Sequence, residues 1–268
     1  MSVTHSSSID SLLKIMARLR DPAGGCPWDL EQDFHSIAPY TLEEAYEVVD
    51  TIESGRPDEL CAELGDLLFQ VVFHAQLASE ADWFDFEEVV QGICDKMTCR
   101  HPHVFADAVI DDAAAQTRAW ERHKQQERGE QQSVLAGVPV ALPALTRANK
   151  LQGRAARVGF DWPDVEGVQA KVVEELAELR HEIDTQAGPK ALAEEAGDLL
   201  FAAVNLVRHA GIDPEQALRQ GNRKFERRFR EVEAMCAADG VVLSTADIDT
   251  LERYWQLAKE RERSKGGG

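Results

Sequence analysis

The stretches AELGDLLF (Ala62–Phe69) and EEAGDLLF (Glu194–Phe201) spell one pattern twice: a glutamate, an aspartate three residues on, then an apolar run. Gly65 and Gly197 stand 132 residues apart, and in the acidic segments before them Glu44 of LEEAYEVVD and Glu175 of VVEELAEL stand 131 apart. Nearly the same spacing pairs Trp28 of CPWD with Trp162 of GFDWPD, Lys96 and Arg100 with Lys224 and Arg228, and Trp120 with Trp255. Landmarks recurring in order at one interval predict a duplicated unit. We therefore expect an N-terminal domain over 1–124, a Gln/Gly/Pro-rich linker over 125–143 and a C-terminal domain over 144–268.

Each unit reads as helix. In IDSLLKIMARLR, Ile9, Leu12, Leu13, Met16 and Leu19 recur at the three-to-four spacing of one helical face. The segment Asp58–Ala78 repeats that pattern, which puts Leu60, Leu64, Leu67, Leu68, Val71 and Val72 on the buried side. Strand-like alternation is scarce, and Gly/Pro clusters such as DPAGGCPWD, SGRPD, GFDWPD and AGIDPE fall between the helical stretches. The expected fold is all-α, with two tandem helical bundles.

At 268 residues, 44% of them apolar, the chain can bury a sizeable core. Its formal net charge of −19 would repel bare nucleic acid and an anionic membrane surface. No apolar run approaches the roughly 20 residues of a membrane span, and the N-terminus MSVTHSSSID lacks the pattern of a signal peptide. Five cysteines without a CxxC pair suggest neither a disulfide framework nor a zinc knuckle. A cytoplasmic protein with reduced thiols is expected, Cys94 and Cys99 among them as buried thiols. Trp28 and Trp162 read as aromatics that anchor core or loop. His101 and His103 flank Pro102 and read as parts of an ordered turn.

The acidic segments carry the chemistry. KVVEELAELRHEID (Lys171–Asp184) holds five carboxylates in fourteen residues, and helical spacing projects Glu175 and Glu178 from one face, with Glu174 beside them. Glu195 and Asp198 pair in the same way on the next helix, where Leu199, Leu200 and Phe201 are expected to face the core. Facing one another in a hairpin, these groups would repel strongly unless a cation sat among them. Oxygen-only ligands suit a hard divalent ion such as Mg²⁺ or Mn²⁺.

GCPWD, YTLEEAYEVVD, ELGDLLFQVVFHAQ, CRHPHVFAD, VGFDW, EELAEL, EEAGDLLFAAVNLVRH and KFERRF together resemble the MazG-type nucleoside triphosphate pyrophosphohydrolases of the all-α NTP pyrophosphatase superfamily. The resemblance spans nearly the whole chain. It implies Mg²⁺-dependent hydrolysis of (d)NTPs to the monophosphate and pyrophosphate, broad base tolerance, a homodimer and a part in nucleotide-pool housekeeping. Carried onto matching positions, Glu175, Glu178, Glu195 and Asp198 become metal ligands. Glu174 becomes either a base for the attacking water or a carboxylate behind the ligands.

The N-terminal copy keeps Glu44, Glu47, Glu63 and Asp66 but has Tyr40 and Asp58 where the C-terminal copy has Lys171 and Lys190. Those lysines would reach phosphates, although Lys190 falls one residue earlier relative to Glu195 than the family pattern. Lys224 and Arg228 add a basic pair, and Trp255 offers a flat face on which a base could stack. The C-terminal copy is therefore expected to carry the main activity. Two alternatives stand beside it: a narrower dUTP/dCTP-type or phosphoribosyl-ATP pyrophosphohydrolase, and a nucleotide-sensing helical module without turnover.

Overall fold

Helices begin and end where the capping residues sit. In the computed structural model, which describes residues 8–106, 112 and 133–265, no strand occurs among the described residues. The chain divides into two units, Met1–Gly129 and Glu130–Gly268. Trp120 and the first part of the expected linker lie outside the described residues.

The N-terminal unit holds α1 (Ile9–Leu19), α2 (Pro27–Glu31), α3 (Phe34–Ser54), α4 (Pro57–Glu80), α5 (Phe86–Arg100) and α6 (Pro102–Phe105). Asp33 caps α3 by accepting from the backbone N–H groups of His35 and Ser36, both at 2.8 Å, which satisfies donors the first turn leaves open. The helix ends at Gly55, whose φ of 65° suits a residue without Cβ, and α4 restarts with Pro57 in its first turn. The tight connection folds α3 and α4 into a hairpin, against which α1 packs. Met16, Ile37, Val72, Phe73 and Leu77 form the core.

The C-terminal unit holds α7 (Ala144–Ala156), α8 (Val165–Asp184), α9 (Pro189–His209), α10 (Pro214–Ala238), a 3₁₀ turn (Leu243–Thr245) and α11 (Ile248–Lys265). Asp164 caps α8 through the Gly167 N–H at 3.1 Å, and Asp213 caps α10 through the Gln216 N–H at 2.9 Å. Helices α8 and α9 form the second hairpin, with α7 packed on α9. Val232, Met235, Cys236, Tyr254 and Ala258 make a core between α10 and α11.

Several expected faces turn out otherwise. Val72 is buried on α4, but Leu64, Leu68 and Val71 are exposed, as are Leu200 and Phe201 on α9. These hairpins carry apolar residues around more of their circumference than one neighbour covers, so the periodicity marks more buried positions than each unit supplies. Cys94 and Cys99 are exposed, while Cys236 is fully buried. Pro102 opens the short α6, and His101 Nδ1 lies 2.7 Å from the Met97 carbonyl, as an ordered turn requires.

Candidate active site

Residues 44 and 47 on α3 and 63 and 66 on α4 face each other across the first hairpin, as 175 and 178 on α8 face 195 and 198 on α9 across the second. Glu44, Glu47 and Glu63 offer oxygens within 4.8 Å of one another; in the second hairpin Glu175, Glu195 and Asp198 do the same. The triads use different corners of the same square. Asp66 stands outside the first and acts on Glu44 and Glu63 as a nearby charge, while Glu178 stands outside the second and acts so on Glu195. His181 follows Glu178 at Glu-x-x-His spacing, but it is exposed and belongs to neither group.

In both clusters the carboxylates are crowded enough to perturb one another. Burial, then the charges of Asp66 and Glu47, raises the carboxyl of Glu44 above its ordinary value. Glu63 is raised by burial and by Glu47, and Glu195 by burial and then by Glu178, Asp198 and Glu175. Like charges held this close resist ionisation unless positive charge joins them. The all-carboxylate donor set fits a hard divalent ion.

Glu175 is 5% exposed, so it is the most enclosed of these carboxylates. Its partner is Lys171, one turn earlier, whose Nζ lies 2.7 Å from Glu175 Oε1 and 2.9 Å from Glu174 Oε1. The hydrogen bonds that Lys171 donates to Glu175 and then to Glu174 raise its pKa, so its charge is secure. Lys171 thus sits among the acidic groups of α8. Lys190 is exposed in the first turn of α9.

A cavity of about 810 Å³ opens against the C-terminal cluster. Lys171, Glu175 and Asp198 line it together with Phe160, Trp162 and Phe201. Neither Lys224, Arg228 nor Trp255 belongs to its lining. Those three stand on α10 and α11, where Arg228 Nε donates to Glu262 at 2.7 Å and its guanidinium lies 5.9 Å from the Trp255 ring centroid. Trp255 also packs on Phe225 at 5.4 Å. The structure therefore groups Arg228 with Trp255, apart from the cavity. Trp162 anchors its loop on α8, since a Cβ at Gly167 would come 3.1 Å from the Trp162 ring. Trp28 packs edge-on against Tyr40.

With the site described, likeness to known proteins can be weighed. The family model of the MazG nucleotide pyrophosphohydrolase domain matches residues 32–105 and 164–232. The chain belongs to the MazG family. It is accordingly an enzyme of the phosphoric-anhydride hydrolase class. Each MazG match contains one complete set of four carboxylates, and the second reaches Lys224 and Arg228 but not Trp255. A nucleoside triphosphate pyrophosphohydrolase of Escherichia coli (strain K12) is 52% identical over 259 residues, which cover 96% of this chain and 98% of that protein. The nucleoside triphosphate pyrophosphohydrolase/pyrophosphatase MazG of Thermotoga maritima is 44% identical over 93% of this chain and 95% of its own. The tandem arrangement therefore belongs to MazG relatives along nearly their full length.

Proposed function

We propose that this chain hydrolyses nucleoside triphosphates to the monophosphate and pyrophosphate, with Mg²⁺ and with broad base tolerance, and that the C-terminal unit carries the turnover. The observation that carries this reading is the convergence of Glu175, Glu195 and Asp198, of which Glu175 and Asp198 line a cavity of about 810 Å³. In this reading Glu175, Glu178, Glu195 and Asp198 hold the metal, with Mn²⁺ as a substitute. Bound there, Mg²⁺ neutralises triphosphate charge and makes a water more acidic. The bond between the α and β phosphates breaks, a water oxygen joins phosphorus and pyrophosphate leaves. In this reading Glu174, more exposed than Glu175 and held beside it by Lys171, takes the water's proton.

The N-terminal cluster has the acidic groups without the lysines, which favours a structural or weaker role. A role in clearing nucleotides from a cytoplasmic pool follows from broad base tolerance; no helix among the described residues is long and apolar enough to cross a membrane. The test is release of pyrophosphate from a panel of NTPs and dNTPs, with Mg²⁺ and with chelator. Comparable rates across bases, lost on chelation, are expected. Turnover of a single pyrimidine nucleotide would instead favour the narrower pyrophosphohydrolase, and binding without turnover the sensing module.

A further inference from the structure

The net charge of −19 is divided unevenly along the chain. Residues 1–106 carry 20 acidic side chains against 6 basic, whereas residues 133–268 carry 22 against 19. The N-terminal unit is thus the seat of the acidity. Of its few cations, Arg20 is held by Glu80 at 2.7 Å and Arg56 by Asp50 at 3.0 Å. Such a surface repels nucleic acid and attracts basic polypeptide.

A cleft of about 590 Å³ opens in this unit between α1 and α4. Asp10, Leu13, Lys14 and Ala17 follow one another along α1 at the spacing of a single helical face, and Val72, Ala75, Gln76 and Ser79 do so along α4. Each wall therefore runs for about 10 Å. The floor is apolar: Val72 is 1% and Ala75 3% exposed, and Ala17 and Ser79 are small side chains open to solvent. Asp85 and Glu87 flank Phe86 where α5 begins, and Asp85 is kept in place by capping that helix through the Glu88 N–H at 2.9 Å. Asp10, Asp85 and Glu87 are all exposed, and among the described residues Lys14 is the one cation lining the cleft. None of the clustered carboxylates of either hairpin lines it.

The second copy shows that the fold does not require an open cleft here. At the 132-residue interval Ala17 and Ala75 correspond to the larger Asn149 and Val207, and Lys14 to Thr146. Thr146 Oγ1 donates to Glu215 at 3.4 Å, which ties α7 to α10, and Glu215 matches Glu87 at an interval of 128. Among the described residues Lys14 and Glu87 make no such bond.

We infer that this cleft of the N-terminal unit is a docking groove for a basic amphipathic helix of a partner protein. Such a helix presents apolar side chains at i, i+3, i+4 and i+7, the same interval as the two walls. Its bulky side chains fill the space above Ala17, Ala75 and Ser79, and lysines or arginines on its flanks reach Asp10, Asp85 and Glu87. Burial of apolar area supplies the affinity, and the acidic rim supplies the choice of partner. Trp83, two residues before Asp85, is 66% exposed and lies flat on Phe34 with ring centroids 5.1 Å apart, a fixed face for an arginine at this acidic end.

The full chain is titrated with a fluorescently labelled Leu/Lys amphipathic helix and, separately, with its Leu/Glu counterpart, and anisotropy is followed. Wild type is compared with Ala17→Trp, which fills the cleft from an exposed position, with Glu87→Lys, and with Asp95→Lys, which makes the same change of charge on α5 outside the cleft. The expected result is binding of the Leu/Lys helix alone, with its Kd raised about tenfold in both cleft variants and within about twofold of wild type in Asp95→Lys. Melting temperatures measured alongside show that each variant is folded, and Ser79→Trp, from the opposite wall, replaces Ala17→Trp should that variant melt well below wild type. No binding by wild type, weakening in neither or only one of the cleft variants, or equal weakening in Asp95→Lys overturns the assignment. So does a fall in the light-scattering mass of the cleft-filling variant relative to wild type, which would seat a second copy in the cleft instead.

Discussion

Glu195 shows most plainly what the crowding of carboxylates does in this protein. Its carboxyl is raised by burial and by Glu178, Asp198 and Glu175, so the folded chain binds a proton there more tightly than the unfolded chain. The sign follows: stability falls as pH rises from the ordinary carboxylate value through the raised one, and at neutral pH the strain is fully present. Glu195→Gln is therefore expected to raise the melting temperature of metal-free protein near pH 7. The same variant should lose most of the Mg²⁺-induced rise in melting temperature that wild type shows. Thermal melts with and without chelator check both. Lys171 works in the opposite direction, as a charge already present among the acids. Lys171→Met should weaken turnover on the order of 100-fold while tightening Mg²⁺ binding measured by calorimetry without nucleotide. The acidic residues were legible because their spacing repeats; the selection of Asp198 but Glu47 for the tight triads depends on side-chain placement that spacing leaves open.

The hairpin α8–α9 and the loop before it act as one element. Burial by itself would raise the Asp161 carboxyl, but hydrogen bonds from Arg208 and His209 outweigh it and hold the group below its usual value. That contribution is present above the ordinary carboxylate value and is lost as pH falls through the lowered one. Asp161→Ala leaves Arg208 largely enclosed without its carboxylate, and a loss of about 2 kcal/mol in chemical denaturation at pH 7 is expected, smaller below pH 4. Helix identities and ends were legible here, since Asp164, Pro189, Asp213 and Pro214 are cap and first-turn residues in sequence as in structure. The buried face was less so. Leu64, Leu68, Leu200 and Phe201 share the periodicity of core positions yet stand in solvent within a single chain.

At the scale of the whole molecule, those exposed apolar residues and the repeat belong together. Leu42, Tyr46, Leu64 and Leu68 mark the first hairpin, and Val173, Leu176 and Leu200 the second. We propose that a second copy covers this apolar surface. The homodimer implied by family resemblance is thus expected, and light scattering should give twice the mass of 29.8 kDa, with Leu68→Glu or Leu200→Glu shifting it toward one chain. The duplication was legible over 32–105 and 164–232 because insertions shift its register by only a few residues. The proposal that the C-terminal copy does the chemistry rests in the sequence on Lys171 and Lys190, and the cavity beside Glu175 adds a second reason. The most direct test is pyrophosphate release from NTPs in Mg²⁺ by wild type, Glu175→Gln and Glu44→Gln. Loss of turnover on the order of 100-fold or more in Glu175→Gln, with most activity kept in Glu44→Gln, is the predicted result. An inactive wild type, or a Glu44→Gln as damaged as Glu175→Gln, would contradict a catalytic site carried by the C-terminal unit.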